Sequence, residues 1–274
     1  MISIAPDSDR AKQGDARLRA RAYARLCEAL MQGEFAPGQQ LAFRSLAETL
    51  GVSVTPVREA VATLTELGAL RVLPKRYIEV PRLSAEAYIE LLELRRLLEG
   101  HAARRAAQRI TPVELDDIKR TNAALLQHTR DGRHREAMKE NYAFHFAVYR
   151  ASGARYLVES ITRIWLLIGP SLNLHLAEEY GRDLQILRSG FENHDHLIAA
   201  LVARDSDAAM RAILSDMSVS SAHMLSGLLR ASQLTDDALI DLSALSANRP
   251  PTTNQPPRRP AIKAPLPKIR PISK

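Results

Sequence analysis

Apolar residues near the start of the chain recur with the period of an α-helix. In the segment ARLRARAYARLCEALMQGEF, the side chains that keep this spacing are those of Leu18, Tyr23, Leu26, Leu30 and Met31. Gly33 follows them, where the left-handed residue of a C-cap is expected. The pattern therefore predicts one helix that ends just before Gly33.

The next apolar pattern, in FRSLAETLGVSVTPVREAVATLTELGAL, predicts two shorter helices joined by a tight turn. The first spans about residues 44–50 and is stopped by Gly51. The second spans about residues 55–67, has Pro56 in its first turn and is stopped by Gly68. Proline suits a first turn because its missing N–H has no intrahelical partner there and its φ is already helical.

A short alternating pattern follows the third helix. In LRVLPKRYIEVP, the β-favouring residues Val72, Ile78 and Val80 alternate around a Pro-Lys-Arg tip, which predicts a small β-hairpin. Three helices and a two-stranded wing make a winged helix-turn-helix, whose second motif helix lies in the DNA major groove. Residues 17–82 are therefore predicted to be a DNA-binding domain, after a flexible N-terminus at residues 1–16.

The pattern from residue 83 onward is helical throughout. A capping box at Thr111 and Glu114, with proline between them, predicts that one helix ends near Arg109 and another begins at Pro112. Further helices are expected at 134–152, in an apolar stretch broken at Gly169-Pro170, at 184–203, and from an Asp205 cap to about 229. The fold class is thus mainly α: an N-terminal winged helix-turn-helix domain plus a C-terminal all-α antiparallel bundle of six or seven helices over residues 83–232.

Charge is distributed unevenly along the chain. The formal net charge is +7, yet residues 83–245 hold 19 Lys or Arg against 22 Asp or Glu. The last 29 residues hold 7 Lys or Arg, no acidic residue and 8 of the 15 prolines. Residues 233–274 are therefore predicted to be a disordered, Pro-rich basic tail, which is either simply solvated or adds non-specific affinity for DNA.

Composition excludes several classes of protein. The single cysteine, Cys27, has no partner for an intramolecular disulfide. No apolar run reaches the roughly 18 residues of a membrane span, and no signal-peptide core follows a basic start. We therefore expect a cytoplasmic protein without membrane contact.

Several polar residues lie where the winged helix would meet DNA. At the start of the recognition helix, hydroxyls and free backbone N–H groups suit a phosphate, and an arginine one turn further on reaches a guanine edge. The basic residues at the wing tip suit contacts with phosphate or with the minor groove. The alternative interpretation of the two motif helices is an αα-hairpin whose polar faces are simply solvated. The predicted DNA-binding residues are Arg44, Ser53, Thr55, Arg58, Lys75 and Arg76.

Residues 36–81, with PG-x-x-L, LA-x-x-LGVS and TPVREA, resemble the DNA-binding domain of the GntR family of bacterial transcription regulators. The resemblance implies that a homodimer binds an inverted-repeat operator, with Arg44 and Arg58 at the base-contacting positions. Two residues depart from the family pattern. Val54 replaces an arginine and suits a thymine methyl instead, so the operator is expected to differ from the common one. Tyr77 replaces a glycine at the wing tip, so the wing is expected to insert differently.

The helical domain contains polar residues with metal-ligand spacing. Asn141 and His145 are i and i+4 on one predicted helix, and His194 and Asp216 lie on later helices. Taken alone, this arrangement equally describes histidines packed in a core. The segments ELLELRRLLEG, NYAFHFAVYRASG and ENHDHLIAALVARDSDAAM, however, resemble the FCD ligand-sensing domain of the FadR-type branch, with Asn141 in place of an aspartate and Asp216 in place of a histidine.

The resemblance implies a divalent transition metal, Zn, Mn, Ni or Fe, bound by Asn141, His145, His194 and Asp216. Two imidazoles, a carboxylate and an amide leave coordination positions open for a small organic acid. His196 and His223 are alternative ligands.

Arg95 matches the arginine of the family's LRxxLE stretch. It is predicted either to hold the carboxylate of the effector or to form an ion pair with Glu99 one turn further on.

These observations predict a ligand-responsive, sequence-specific transcription regulator, such as a repressor, and no catalytic residues. The main alternatives are a metal-dependent enzyme acting on a small acid and a regulator with a metal-free effector pocket. An enzyme would need a general base beside the open coordination position. The candidates are Glu140 and Asp195, and the spacing of neither from the predicted ligands indicates that role. A DNA-compacting protein fits the basic tail but not the acidic helical domain.

Overall fold

The DNA-binding half contains three helices and a small antiparallel sheet. In this computed structural model, which describes residues 7–74, 77–180 and 184–232, the elements of this half are α1 (Asp7–Met31), β1 (Gln40–Ala42), α2 (Phe43–Leu50), α3 (Val54–Glu66), β2 (Arg71–Val72) and β3 (Tyr77–Glu79). The strand order is β1-β3-β2, and Ile78 lies opposite Leu41 on one side and Val72 on the other. The predicted winged helix-turn-helix is therefore present.

Two features of this half differ from the prediction. α1 begins at Asp7, so helix extends into the segment that was expected to be flexible. That segment, DSDRAKQGDA, has no apolar stripe, although most of its residues are tolerated well in a helix. Strand β1 adds a third strand to the wing; with only three residues, it is too short to produce a detectable alternation.

The second half is a bundle of six helices within the described residues. They are α4 (Ala85–Arg109), α5 (Pro112–Arg130), α6 (His134–Ala151), α7 (Arg155–Tyr180), α8 (Leu184–Ala203) and α9 (Ser206–Ser232). α4 lies at the centre and packs on α6, α7, α8 and α9. Large side chains that are almost fully buried include Tyr88, Phe144, Phe146, Tyr149 and Trp165, so this half has its own core.

Local signals placed two helix starts correctly. Thr111 and Glu114 form the predicted capping box at α5, with hydrogen bonds in both directions. Asp205 Oδ1 accepts hydrogen bonds from the backbone N–H groups of Asp207 and Ala208, and so caps α9. These contacts satisfy N–H groups that have no partner inside the helix.

The predicted break at Gly169-Pro170 is wrong. α7 continues from Arg155 to Tyr180 with Pro170 in its interior. An isolated proline in a helix costs a hydrogen bond and creates a clash, but here the helix is held by tertiary contacts on both sides of it. Trp165 and Leu172 are buried in the core, and this packing outweighs the local signal.

α7 also contacts the end of α1, through one side chain and through a close approach of the two backbones. Asn173 Nδ2 donates hydrogen bonds to the carbonyl oxygens of Met31 (3.0 Å) and Gly169 (2.8 Å). A Cβ at Gly169 would lie 2.8 Å from the Met31 Cα and 2.9 Å from the Leu30 oxygen. Only glycine at this position therefore allows α1 and α7 to approach so closely.

α6 contacts the same region by charge. Glu34, in the loop after α1, forms ion pairs with Lys139 (3.2 Å) and Arg135 (3.6 Å) of α6. The Glu34 side chain is 13% exposed, so solvent screens these pairs less than it screens a fully exposed pair. We call the segment of residues 31–34, held by α6 and α7 together, the interdomain joint.

Among the helices that the structure describes, none combines the length and the apolar character that a membrane span requires. The predicted tail, residues 233–274, and the wing-tip residues Lys75 and Arg76 lie outside the described residues.

Candidate functional site

The turn between α2 and α3 exposes the start of the recognition helix. Gly51 ends α2 with a left-handed backbone (φ 64°), which lets the chain reverse within a few residues. Ser53 is the N-cap of α3, yet its hydroxyl makes no cap hydrogen bond. Ser53 and Thr55 are exposed, so both hydroxyls and the first N–H groups of α3 are open to a phosphate.

The two arginines predicted to contact bases are also exposed, and the side chain of Arg58 packs on an aromatic ring. The Arg58 guanidinium carbon lies 4.9 Å from the centre of the Phe43 ring, a contact that orients the side chain without using its N–H donors. Arg44 is the second residue of α2, the helix before the turn. Val54 is half-buried, whereas Tyr77 on the wing is 47% exposed.

In the bundle, three of the four predicted metal ligands converge from different helices. His145 comes from α6, His194 from α8 and Asp216 from α9, and one ligand atom from each lies within 4.8 Å of the others. The Asp216 oxygens lie 3.5 Å from His145 Nε2 and 3.6 Å from His194 Nε2. These separations are too long for good hydrogen bonds. They are close to the ~3.4 Å between ligand atoms of a tetrahedral zinc site with bonds of about 2.1 Å.

The hydrogen bonds on the far side of each ring determine where its proton lies. His194 Nδ1 lies 3.0 Å from Asn122 Oδ1, and the Asn122 amide nitrogen donates to Asp195. A carbonyl oxygen only accepts, so the proton of His194 is on Nδ1 and Nε2 carries a lone pair. Metal-binding histidines usually have a partner of this kind on the second nitrogen.

His145 has the same arrangement. Its Nδ1 lies 3.4 Å from the Tyr149 hydroxyl, which donates its one proton to Glu99 Oε2 at 2.5 Å. The Tyr149 oxygen therefore accepts from His145 Nδ1–H, and His145 Nε2 carries a lone pair toward Asp216. Two imidazole lone pairs and a carboxylate thus face one another, an arrangement that a cation stabilises.

Burial changes the protonation of all three groups. It lowers the pKa of His194 to about 3. Burial, followed by the neighbouring His194 and Arg95, lowers the pKa of His145 well below its usual range. Burial raises the pKa of Asp216 to about 7, against the opposing effect of Arg95. Both imidazoles are therefore neutral ligands at pH 7, and Asp216 carries a proton part of the time.

A buried ion pair borders this cluster. Arg95, 3% exposed, donates through Nε (2.7 Å) and Nη2 (3.2 Å) to Glu99, which is 1% exposed. Glu99 also accepts from Tyr149 and, at 3.0 Å, from Trp165 Nε1. The predicted Arg95–Glu99 pair is therefore present. Arg95 Nη1 is buried and has no hydrogen-bond partner within the described residues, so it is available to a bound anion.

The remaining candidates lie around the cluster. Asn141 is half-buried and one helical turn before His145, so its role as a fourth ligand stays a prediction. Of the two alternative histidines, His196 is exposed and His223 half-buried, and the group that converges in the described part of the chain contains neither.

Sequence reasoning missed the residues that orient this cluster. Tyr149 follows His145 by four residues, a spacing that points to one face of a helix. Asn122 and Trp165 have no such signal, because only the packing of α5 and α7 brings them to the site.

Comparison with known proteins gives the family. Residues 18–80 match "Bacterial regulatory proteins, gntR family", and residues 90–218 match "FCD domain". The HTH-type transcriptional regulator McbR of Escherichia coli (strain K12) is 34% identical over 175 residues, which are 64% of this chain and 78% of that protein. The solved structure of E. coli McbR/YncC has a TM-score of 0.70 and 30% identity, and covers 77% of this chain and 98% of that chain.

Two further relatives are operon regulators. The Nta operon transcriptional regulator of Aminobacter aminovorans is 30% identical over 182 residues, 66% of this chain and 81% of that protein. The probable D-xylose utilization operon transcriptional repressor of Paenarthrobacter nicotinovorans is 28% identical over 184 residues, 67% of this chain and 78% of that protein. All of these relatives are named as transcriptional regulators or repressors, which agrees with the prediction that this chain is a regulator rather than an enzyme. The chain therefore belongs to the GntR family of bacterial transcription regulators, in the FadR-type branch that carries an FCD domain.

Proposed function

We propose that this regulator binds its operator as a homodimer and responds to a small organic acid held at a divalent metal in the helical domain. The observation that carries the proposal is the convergence of two imidazole lone pairs on a carboxylate, beside an arginine with one unused buried donor. The fold accounts for DNA binding, and the cluster would supply the response.

The donor set fits a transition metal. His145, His194 and Asp216 offer two neutral nitrogens and one oxygen, a set that Zn, Mn, Ni and Fe accept with coordination positions left open. Asn141 is the proposed fourth ligand. A bound metal favours the ionised form of Asp216 and pairs with both imidazole lone pairs, which a single proton on Asp216 cannot do. The metal would also attract a carboxylate into the open positions.

Arg95 makes an acid the favoured class of ligand. The Glu99 carboxylate uses two of the nitrogens of the guanidinium, and Nη1 is left without a partner. An incoming carboxylate would satisfy that donor, and charge-assisted hydrogen bonds of this kind are among the stronger ones in proteins. The alternative, a metal-free effector pocket, would rely on Arg95 and the neighbouring hydroxyl groups alone.

The interdomain joint offers a path from this site to the DNA-binding half. α6 carries His145 and pairs with Glu34, while α7 carries Trp165 and holds Met31 through Asn173. A ligand that moves either helix would therefore act on the end of α1. We propose that it favours one orientation of the two DNA-binding halves over another, for which about 1.4–2.8 kcal/mol gives a 10- to 100-fold change in operator affinity. The name of the D-xylose relative supports repression as the outcome.

Replacing Arg58 tests the recognition helix. On an operator selected from random duplexes, Arg58→Ala should bind about 10- to 100-fold more weakly, because a bidentate contact to guanine is worth about 1–3 kcal/mol. Fluorescence anisotropy at fixed salt measures this loss. Arg155→Ala removes the same charge from an exposed site at the start of α7 and should bind as wild type. Unchanged affinity of Arg58→Ala would contradict the assignment.

Metal content tests the cluster directly. Dialysed protein should hold about one transition-metal ion per chain by elemental mass spectrometry, since three side chains that could bind a metal converge from three helices. His145→Ala should lose it, and His196→Ala, which removes an exposed histidine of α8, should keep it. Absence of metal after reconstitution with Zn²⁺, Mn²⁺, Ni²⁺ or Fe²⁺ would favour the metal-free pocket.

The protonation of Asp216 predicts a pH dependence of stability in EDTA. The pKa of this carboxyl rises from 3.8 to about 7 on folding, so the folded chain holds the proton more tightly. The contribution of Asp216 to the free energy of unfolding should therefore fall as pH rises from about 4 to about 7. The lowered pKa values of His145 and His194 act in the opposite direction, so the contribution of Asp216 is measured against a variant that keeps both histidines.

Asp216→Asn lacks this proton but keeps His145, His194, Arg95 and Glu99. Its melting temperature relative to wild type, measured by circular dichroism, should rise across the same pH window. Parallel melting curves from pH 4 to 8 would show that Asp216 is ionised in the folded chain throughout.

The interdomain joint gives a test with metal alone as the probe. Glu34→Gln removes the charge that Lys139 and Arg135 bind, so the ratio of operator affinities with and without Zn²⁺ should move toward 1, while metal content stays normal. Glu28→Gln changes an exposed glutamate of α1 whose partner is Arg25 and should leave the ratio unchanged. A normal ratio in Glu34→Gln would place the coupling elsewhere.

A further inference from the structure

A cavity lies where the chain passes from the DNA-binding half to the helical domain. Its volume is about 250 Å³, somewhat less than that of the pockets that hold drug-sized ligands. Four parts of the chain line it: the turn after the recognition helix α3, the linker from β3 to α4 (residues 80–84), the first turns of α4 and the middle of α7. We call this space the linker cavity.

Most of the lining of the linker cavity is apolar. Leu83 of the linker, Leu91 of α4 and Leu167 of α7 all contribute to it, and each of these side chains is half-buried. Part of each leucine is therefore still in contact with water. An apolar group placed among them would remove that surface from water, which is favourable. The lining thus favours a small ligand with an apolar body.

Two side chains of opposite charge also line the linker cavity. Arg82 belongs to the linker and Glu90 to α4, and both are exposed. They form no ion pair with each other, and within the described residues neither has any other hydrogen-bond or ion-pair partner. A ligand with a carboxylate for Arg82 and an ammonium group for Glu90 would pair with both.

The Arg82 guanidinium lies against Gly38, in the loop before β1. A Cβ at Gly38 would lie 2.6 Å from Arg82 Nη2 and 2.8 Å from Cζ, so this close contact needs a glycine. The Gly38 N–H donates a hydrogen bond to the carbonyl oxygen of Val80, the first residue of the linker, at 2.7 Å. The contact therefore positions the guanidinium without using its N–H donors, which stay available to a carboxylate.

A backbone acceptor that lacks its usual helical donor lies beside the cavity. Pro170 of α7 has no N–H, so it cannot donate to the carbonyl oxygen of Leu166 four residues earlier. Leu166 and Pro170 both line the linker cavity. An ammonium group has three N–H donors and no acceptor, so it can serve Glu90 and a carbonyl oxygen at the same time.

From the apolar lining and the two opposite charges we infer that the linker cavity binds a free amino acid with an apolar side chain. The carboxylate would pair with Arg82 and the ammonium group with Glu90. The side chain would pack on Leu83, Leu91 and Leu167. None of these residues belongs to the metal cluster, so this site needs no metal. It is an addition to the proposed function, which places the effector inside the helical domain.

An occupied linker cavity would also act on the recognition helix. Gly68 and Ala69, which follow α3, line the same space. A ligand held by Arg82 and Glu90 would tie the linker to α4 and fix the end of α3 relative to the helical domain. Such a ligand favours the orientation of the DNA-binding half that brings both charges within reach of one molecule.

Calorimetry tests the site with amino acids as probes. L-Leucine, L-methionine, L-phenylalanine and L-tryptophan are each titrated into the full chain in EDTA, and the tightest of them should have a Kd of about 1 mM or below. L-Glutamate and L-lysine should bind at least about 10-fold more weakly, because a third charge would enter the apolar lining. Absence of binding by all four apolar amino acids, or binding that requires added Zn²⁺, overturns the inference.

Neutral variants test the two charges of the site. Arg82→Gln and Glu90→Gln should each weaken binding of the tightest amino acid by about 10-fold or more, because each removes a charge-assisted hydrogen bond. Lys119→Gln and Glu93→Gln, which change exposed residues outside the cavity lining, should bind as wild type. 3-Phenylpropanoate lacks the ammonium group of L-phenylalanine, so Glu90→Gln should not weaken its binding. Wild-type affinity for the amino acid in either cavity variant contradicts the assignment.

Filling the cavity tests its interior independently of the charges. Ala87 of α4 is half-buried and lines the cavity, so Ala87→Phe should abolish binding of the amino acid. Ala123→Phe, at an exposed position of α5, should keep it. Binding retained by a folded Ala87→Phe refutes the linker cavity as the site. If Ala87→Phe fails to fold, the charge variants decide, because Arg82 and Glu90 are exposed and their replacement leaves the apolar lining intact.

The effect on DNA is measured with the selected operator in EDTA. A saturating concentration of the tightest amino acid should change the operator affinity of wild type by about 5-fold or more, and the same concentration should have little effect on Glu90→Gln. Unchanged affinity in wild type refutes the link from the cavity to the recognition helix. All of these measurements are made without metal, so a failure of His145, His194 and Asp216 to bind a metal would leave their outcomes as they are.

Discussion

The buried Arg95–Glu99 ion pair is the interaction on which the architecture of the helical domain depends. Two charges removed from water are costly, often more so than their mutual attraction recovers. Here Glu99 accepts hydrogen bonds from Arg95, Tyr149 and Trp165, so one carboxylate of α4 fixes side chains of α6 and α7. Loss of Glu99 would leave a buried guanidinium without compensation, at a cost of about 3–5 kcal/mol. The pair therefore links α4 to α7 and to α6, the helix that carries His145.

The same network determines the chemistry of the cluster. Because Tyr149 gives its proton to Glu99, His145 must hold its own proton on the far nitrogen and turn a lone pair toward Asp216. Relative to the family pattern, a carboxylate has been lost at Asn141 and gained at Asp216, so the number of negative charges in the set is kept while one imidazole is replaced. A proposed metal would therefore meet two nitrogens and a single charged oxygen, which favours borderline cations such as zinc or nickel over calcium or magnesium.

Capping residues and apolar periodicity predicted most of the helices of this chain. They failed where tertiary packing determines whether a helix continues. The caps at Thr111 and Asp205 depend on residues within one turn, so the sequence located them. The break at Pro170 was wrong because contacts of α7 with α1 and with the core hold the helix together, and such contacts leave no mark on neighbouring residues. His145, His194 and Asp216 were grouped by resemblance to the family. Asn122 and Trp165, which orient the site from other helices, became visible only in the fold.

A regulator responds to a ligand only if the ligand binds one arrangement of the DNA-binding halves better than another. The interdomain joint is the part of the chain through which a ligand would favour one arrangement. α6 carries His145 and pairs with Glu34, and α7 carries Trp165 and holds the Met31 carbonyl through Asn173, so both helices link the proposed metal site to the end of α1. Half-sites on DNA have a fixed spacing of about 34 Å or its multiples. A ligand that moves α6 or α7 would therefore act on the end of α1, and with it on the separation of the two recognition helices that the operator requires.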